Sequence, residues 1–415
     1  EFAKSSPEPI ISSNCKNLLD ILLNALNIFR GDPHCISLTF SFISILSLQK
    51  NSLEYFYTNN IFEEALNASH SDDRTVSFEA LKVVSVMIDY AFNQGFKIDI
   101  HELIKHLDEL RLVSRGHEYF VAVILRAILE FSHSPECLPE ILDIVCSLLN
   151  ENAFDETLAA IADIVLVILN NDFNAFPIIH NQYAITSVLF ELLDENTTCL
   201  EDVFFATPVL QIILLIIKKC DADFAVQIAS MISASKYQEL MRKSNPSNSY
   251  LALKIVSFLL FRGQPAIHAI CFAPPFLDFV ITKFLIEAPF SKKIVGLLCC
   301  QILSEVVDNP DSLFTIVNSD IINICSFGLD STIASINLYL QLILNLLKKS
   351  VFFQVEEVTQ NLIQSVIENE VVDRAQNTIS EFENNCTDKD QEIIKAILQQ
   401  IEELNRDFLS TIESI

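Results

Sequence analysis

The stretch EALKVVSVMI at residues 79 to 88 returns as LALKIVSFLL at 251 to 260, with Ala, Leu, Lys, Val and Ser in the same places. Apolar blocks of the same kind open near Ser37, Ala80, Ala122, Ala160, Val209, Ala252, Gly296 and Asn337, at intervals of 43, 42, 38, 49, 43, 44 and 41 residues. A period of this size constrains the fold more than any other feature of the chain. It marks a supersecondary unit that cannot bury both of its sides alone and must stack on copies of itself. At 415 residues the chain is too long for one core of ordinary size. An array that grows along one axis removes that difficulty.

The unit is helical. Only six glycines and thirteen prolines are present, too few for the tight turns that βα units and hairpins require. In NIFEEALNASHSDDRTVSFEALKVVSVMID, residues 60 to 89, a shorter amphipathic helix is followed by a polar break and a long helix. Ile61, Leu66, Val76, Ala80 and Leu81 fall where helical spacing stacks them on one buried side. Ser71, Asp72 and Asp73 offer oxygens for an N-cap. PEILDIVCSLLNENAFDETLAAIADIVLVI, residues 139 to 168, repeats the layout with Asn150, Glu151 and Asn152 as its break. Long helices buried nearly all round account for the mean hydropathy of +0.37. The run from Val209 to Ile217 contains Gln211 and stops at Lys218 and Lys219, well short of the ~20 apolar residues of a membrane span.

This layout resembles armadillo and HEAT repeats, from about residue 14 to 350 and most closely at 60 to 89. The resemblance implies an all-α, right-handed α-solenoid of about eight repeats. A flexible segment at residues 1 to 13 precedes it, and an acidic helical cap or oligomerisation segment at 351 to 415 follows. It also implies a non-enzymatic scaffold that binds protein partners. Armadillo proteins of the importin-α and β-catenin type grip an extended peptide with a ladder of Asn, often with Trp a turn away. Here there is no Trp, and the blocks at 80 to 88, 122 to 130, 160 to 168, 209 to 217, 252 to 260 and 296 to 304 hold no Asn.

Signals for catalysis and metal binding are weak, and no catalytic residue, cofactor or metal is expected. The glycines stand too far apart to write GxGxxG or a P-loop. In HELIKH, His101 and His106 are five apart, about 140° around a helix, whereas HExxH needs both on one face. His106 is expected at the surface. HSPEC brings His133 near Cys137 but reads as the turn after a helix, with no third group to orient a base. Eleven scattered cysteines, an odd number with no CxxC, fit a reducing compartment, cytoplasm or nucleus. The chain opens on Glu1, as a fragment or processed form would, so a targeting segment could precede it.

The net charge of −27 is unevenly spread. From Ala127 to Ile217 there are fourteen acids and no Lys or Arg. Without internal cations, this stretch is either a solvated surface or a site for a Lys/Arg-rich segment of a protein partner. The expected contributors are Glu130, Asp143, Asp155, Asp163, Glu191, Asp194 and Glu195. Nucleic acid is not an expected partner, because phosphates need cations. From Lys218 to Lys293 ten basic residues face five acids. Lys218, Lys219, Arg242, Lys243, Lys292 and Lys293 form a possible patch for an acidic partner. QPAIHAICFAPPFLDF, residues 264 to 279, reads as an inter-repeat loop with its aromatics packed inward.

Residues 352 to 415 carry net −10. Ile394, Ile397, Ile401, Leu404 and Phe408 are spaced by threes and fours, a seam for another helix. A cap on the last repeat is the favoured occupant. The alternative is a homodimer, as in the N-terminal region of formins, where armadillo repeats run into dimerising helices.

Overall fold

The computed structural model describes residues 15–113, 116–132, 137–149, 155–195, 203–242, 246–271, 274–287, 294–307, 310–329, 333–381 and 388–413. The described residues contain helices and no strand. They divide into two compact units, with the boundary between Leu215 and Ile216.

The first unit holds α1 (Cys15–Ile28), α2 (Pro33–Leu46), α3 (Lys50–Thr58), α4 (Ile61–Ala68), α5 (Arg74–Asn93), α6 (Ile100–Val113), α7 (Glu118–Ser132), α8 (Leu138–Leu148), α9 (Asp155–Asn171), α10 (Ile185–Glu195) and most of α11 (Val203–Lys219). The longer helices α2, α5, α7 and α9 stack in that order, each on the next. Shorter helices form a second layer: α4 lies on α5, α8 on α7, and α6 on both α7 and α8.

The second unit continues with α12 (Ala222–Ala229), α13 (Ala234–Arg242), α14 (Pro246–Phe261), α15 (Pro265–Cys271), α16 (Pro274–Glu287), α17 (Ile294–Val306), α18 (Pro310–Val317), α19 (Ile321–Gly328), α20 (Ile333–Phe352), α21 (Glu356–Glu368), α22 (Val371–Glu381) and α23 (Asp388–Glu413). Here α14, α17, α20 and α23 make the corresponding ladder.

Helix α5 shows how the sequence sets one rung. Asp73 is extended, and its carboxylate accepts from the Thr75 and Val76 N–H groups, so one of the three expected cap residues takes the role. At the other end Gly95 turns left-handed at φ 77°, and the Phe96 N–H donates to the Ala91 carbonyl. Between these stops Ala80, Leu81, Val83, Val84, Met87 and Ile88 are all fully buried. Neighbours enclose the helix from several sides because α2, α4 and α7 all pack on it.

The helices that contain the eight apolar blocks begin at 33, 74, 118, 155, 203, 246, 294 and 333, at intervals averaging about 43 residues, and the 26-residue α23 follows at 388. Side-chain contacts between hairpins keep nearly the same separation. Ser69 meets His106, His101 meets Cys137, the Cys300 thiol donates to the Leu338 carbonyl and the Ser326 hydroxyl to that of Asn369, over 37, 36, 38 and 43 residues. Each unit touches mainly its nearest neighbours, as a solenoid requires.

Two local expectations are corrected. The stretch expected as an inter-repeat loop is mostly helix, split between α15 and α16 with Phe276 buried; Phe272 lies outside the described residues. His106, expected at the surface, is buried at 5% exposure. It projects from the second layer toward α4, where Ser69 and His70 receive it. No helix among the described residues is long and apolar enough to cross a membrane.

Candidate functional site

The ladder of the first unit places Asp89, Arg126 and Asp163 at equivalent positions of α5, α7 and α9, each 37 residues from the next. Arg126 reaches Asp89 at 3.5 Å and, one turn along its own helix, Glu130 at 3.7 Å. Burial raises the Asp163 carboxyl pKa; Arg126 opposes that and Glu130 adds to it. This is a column of three carboxylates around one guanidinium. The Asp89 Oδ1 and Arg126 Nε atoms are out of solvent contact and make no hydrogen bond among the described residues. The stretch itself holds no Lys or Arg, but the expectation that its carboxylates lack a partner within the chain is corrected for Glu130. Arg126 precedes the stretch by one residue, and helical spacing carries it back onto Glu130.

The other expected acids occupy different helices. Asp155 is exposed in the first turn of α9, where a carboxylate suits the helix dipole. Glu191, Asp194 and Glu195 are three and four residues apart and share one face of α10, with Glu191 and Glu195 exposed. Asp143 stands on α8, where it is hydrogen-bonded to Tyr183; burial first, and then that bond, raise the phenol's pKa. Asp143 also lines a cleft of about 540 Å³ between α6 and α8, together with His101, Ile104, Lys105, Asp108, Glu140 and Ile144. The donor atoms of His101, Cys137 and Glu140 lie within 4.8 Å of one another at this cleft, the one such trio of His, Cys or acidic residues among the described residues.

Of the expected basic patch, Lys218 and Lys219 are exposed in the last turn of α11 and Arg242 in that of α13, favourable positions on the helix dipole. Lys243, Lys292 and Lys293 lie outside the described residues. Several cations between them are engaged locally. Lys236 is buried and pairs with Glu239 at 3.4 Å, while Lys254, Arg262 and Lys283 sit over the rings of Tyr250, Phe258 and Phe279 one turn away.

The C-terminal seam faces the chain's own core. Ile394 and Ile401 are fully buried and Ile397 is 5% exposed, with α23 packed along α20 and touching α22. Lys348 of α20 donates to the Gln400 side-chain oxygen at 2.7 Å. Leu404 is half-buried, and the Phe408 side chain lies outside the described residues.

Stacked helical hairpins with long helices in one layer and a period of about 43 residues define the architecture. The fold is armadillo/HEAT-like. No family model matches the sequence, and neither does any characterised protein searched. Among solved structures, one from work on a phosphorylation switch in the cadherin–beta-catenin interaction aligns with a TM-score of 0.48 and 14% identity, over 81% of this chain and 67% of that one. The crystal structure of Kap121p bound to Ste12p aligns with a TM-score of 0.33 and 13% identity, over 96% of this chain and 50% of that one.

Proposed function

We propose that the protein is a non-enzymatic scaffold that holds a Lys/Arg-rich segment of a protein partner on the first unit. The observation that carries this reading is the run of 91 residues with fourteen acids and no cation. Arg126, the cation just outside it, is already engaged by Asp89 and Glu130. The remaining carboxylates attract and orient a cationic chain, chiefly at the charged face that Glu191, Asp194 and Glu195 form on α10.

A comparison of charge reversals tests the site against diffuse acidity. Glu191, Asp194 and Glu195 are changed to Lys in one variant, and Glu392, Glu402 and Glu403 in another of equal charge. Association of an oligolysine peptide is followed by stopped flow at several salt concentrations. The proposal expects the first variant to slow association about tenfold or more and the second to change it little. Equal slowing in both would leave the acidic stretch a solvated surface.

A further inference from the structure

We propose that His101, Cys137 and Glu140 form a binding site for a zinc-class divalent cation that ties α6 to α8. His101 lies in the first turn of α6, Cys137 occupies the N-cap position of α8 without a side-chain capping bond, and Glu140 lies in the first turn of α8. The Cys137 Sγ stands 3.6 Å from His101 Nδ1, and Glu140 Oε2 stands 3.7 Å from the same nitrogen. Bonds of about 2.0–2.3 Å from a tetrahedral zinc to N, S and O put neighbouring ligand atoms roughly 3.3–3.7 Å apart. Two of the three separations thus match the edges of a zinc tetrahedron, all three fall within 4.8 Å, and rotation of the largely exposed His101 ring brings a nitrogen lone pair onto the ion.

Two simpler readings account for less. A Cys–His–Glu catalytic triad needs the thiol and the carboxylate on opposite nitrogens of the imidazole. Here the thiol lies 3.6 Å from Nδ1 and 3.8 Å from Nε2, and the carboxylate lies 3.7 Å from Nδ1, so the two are not aligned on opposite nitrogens. A plain His–Glu ion pair does not use the thiol 3.6 Å from the same nitrogen. Cys137 is 2% exposed, while the His101 and Glu140 side chains are 61% and 57% exposed. A soft ligand lies at the floor and two harder ones at an open mouth.

The surroundings suit a cation. Binding of the metal releases the thiol proton. Asp108 and Asp143 line the same cleft and outweigh Lys105, the one cation in its lining. Asp143 follows Glu140 by three residues on α8 and adds its negative charge to the cleft. Sequence spacing could not reveal the trio, because its histidine and its thiol are 36 residues apart and meet only when the second-layer helices stack.

The full chain, stripped with a chelator, is titrated with Zn²⁺ by calorimetry and with Co²⁺ by absorption. One ion per chain is expected, with a thiolate-to-cobalt charge-transfer band. Cys137→Ser should abolish the band and weaken zinc binding at least tenfold; His101→Ala should also weaken it at least tenfold. Cys146→Ser, at an exposed thiol on the same helix, should leave both unchanged. Far-UV circular dichroism checks the fold of each variant. If Cys137→Ser unfolds, His101→Ala decides the matter, because its ring is largely in solvent. No stoichiometric binding, or equal affinity in wild type and a folded His101→Ala or Cys137→Ser variant, overturns the proposal.

Discussion

At the residue scale, His106 carries the largest perturbation of a group that titrates near neutrality. Its ring stacks on His70 at 3.4 Å, and its Nε2 lies 2.9 Å from the Ser69 hydroxyl. That hydroxyl already donates to the Leu66 carbonyl, so it accepts from His106 and fixes the proton on Nε2. Burial, with His70 second, holds the pKa down at about 4 from an ordinary 6.5. Between those values the unfolded chain binds the extra proton, so stability is complete above 6.5 and is lost as pH falls toward 4. Urea unfolding of the first unit should show that slope, and His106→Gln should flatten it. Gly328 makes a second case. A Cβ there would run into the ring of Tyr339, which is 1% exposed. Gly328→Ala should therefore destabilise by about 1–3 kcal/mol, seen as a lowered Tm, and Tyr339→Leu in the same chain should recover part of the loss.

At the element scale, α23 behaves as the last long helix of a ladder. Its buried stripe, Ile394, Ile397, Leu398 and Ile401, rests on α20, while Ile393 is 37% exposed. Ile397→Asp puts a charge into an apolar contact and should cost about 3 kcal/mol or more, whereas Ile393→Asp should stay within about 1 kcal/mol. Denaturant melts measure both. A dimer broken into folded monomers by Ile397→Asp, in analytical ultracentrifugation, would instead place the seam between two copies. The N-cap of α5 offers a milder perturbation: Asp73→Ala removes the acceptor for two N–H groups and should cost about 1 kcal/mol.

At the scale of the whole molecule, each unit is held by a chain of neighbour contacts rather than by one shared core. Damage should therefore stay local. Hydrogen exchange in Ile397→Asp should rise in α20, α22 and α23, while α5, α7 and α9 in the first unit keep their protection. A uniform rise across the chain would mean global cooperativity that nearest-neighbour stacking does not provide. The same connectivity gives the proposed zinc site a limited effect: bound metal should protect α6 and α8 before any other helices.

Sequence alone determined the period, the helices and the buried stripes, because these depend on residues within a few turns. The eight blocks beginning near Ser37, Ala80 and their successors each fall within a long helix, with α23 a further one, and the spacing of Ile394, Ile397 and Ile401 matches their burial. Local chemistry also made Asp73 a cap. Only the tertiary structure decided which distant groups meet. Cys137 faces His101 of the preceding second-layer helix, while His133, nearer in sequence, lies outside the described residues; Arg126 links Asp89 and Glu130; and His106 turns inward to Ser69. Helical periodicity gives each residue a direction around its own axis. Which neighbour lies in that direction depends on the register and rotation of one hairpin against the next, fixed by packing among side chains some 36 to 43 residues apart.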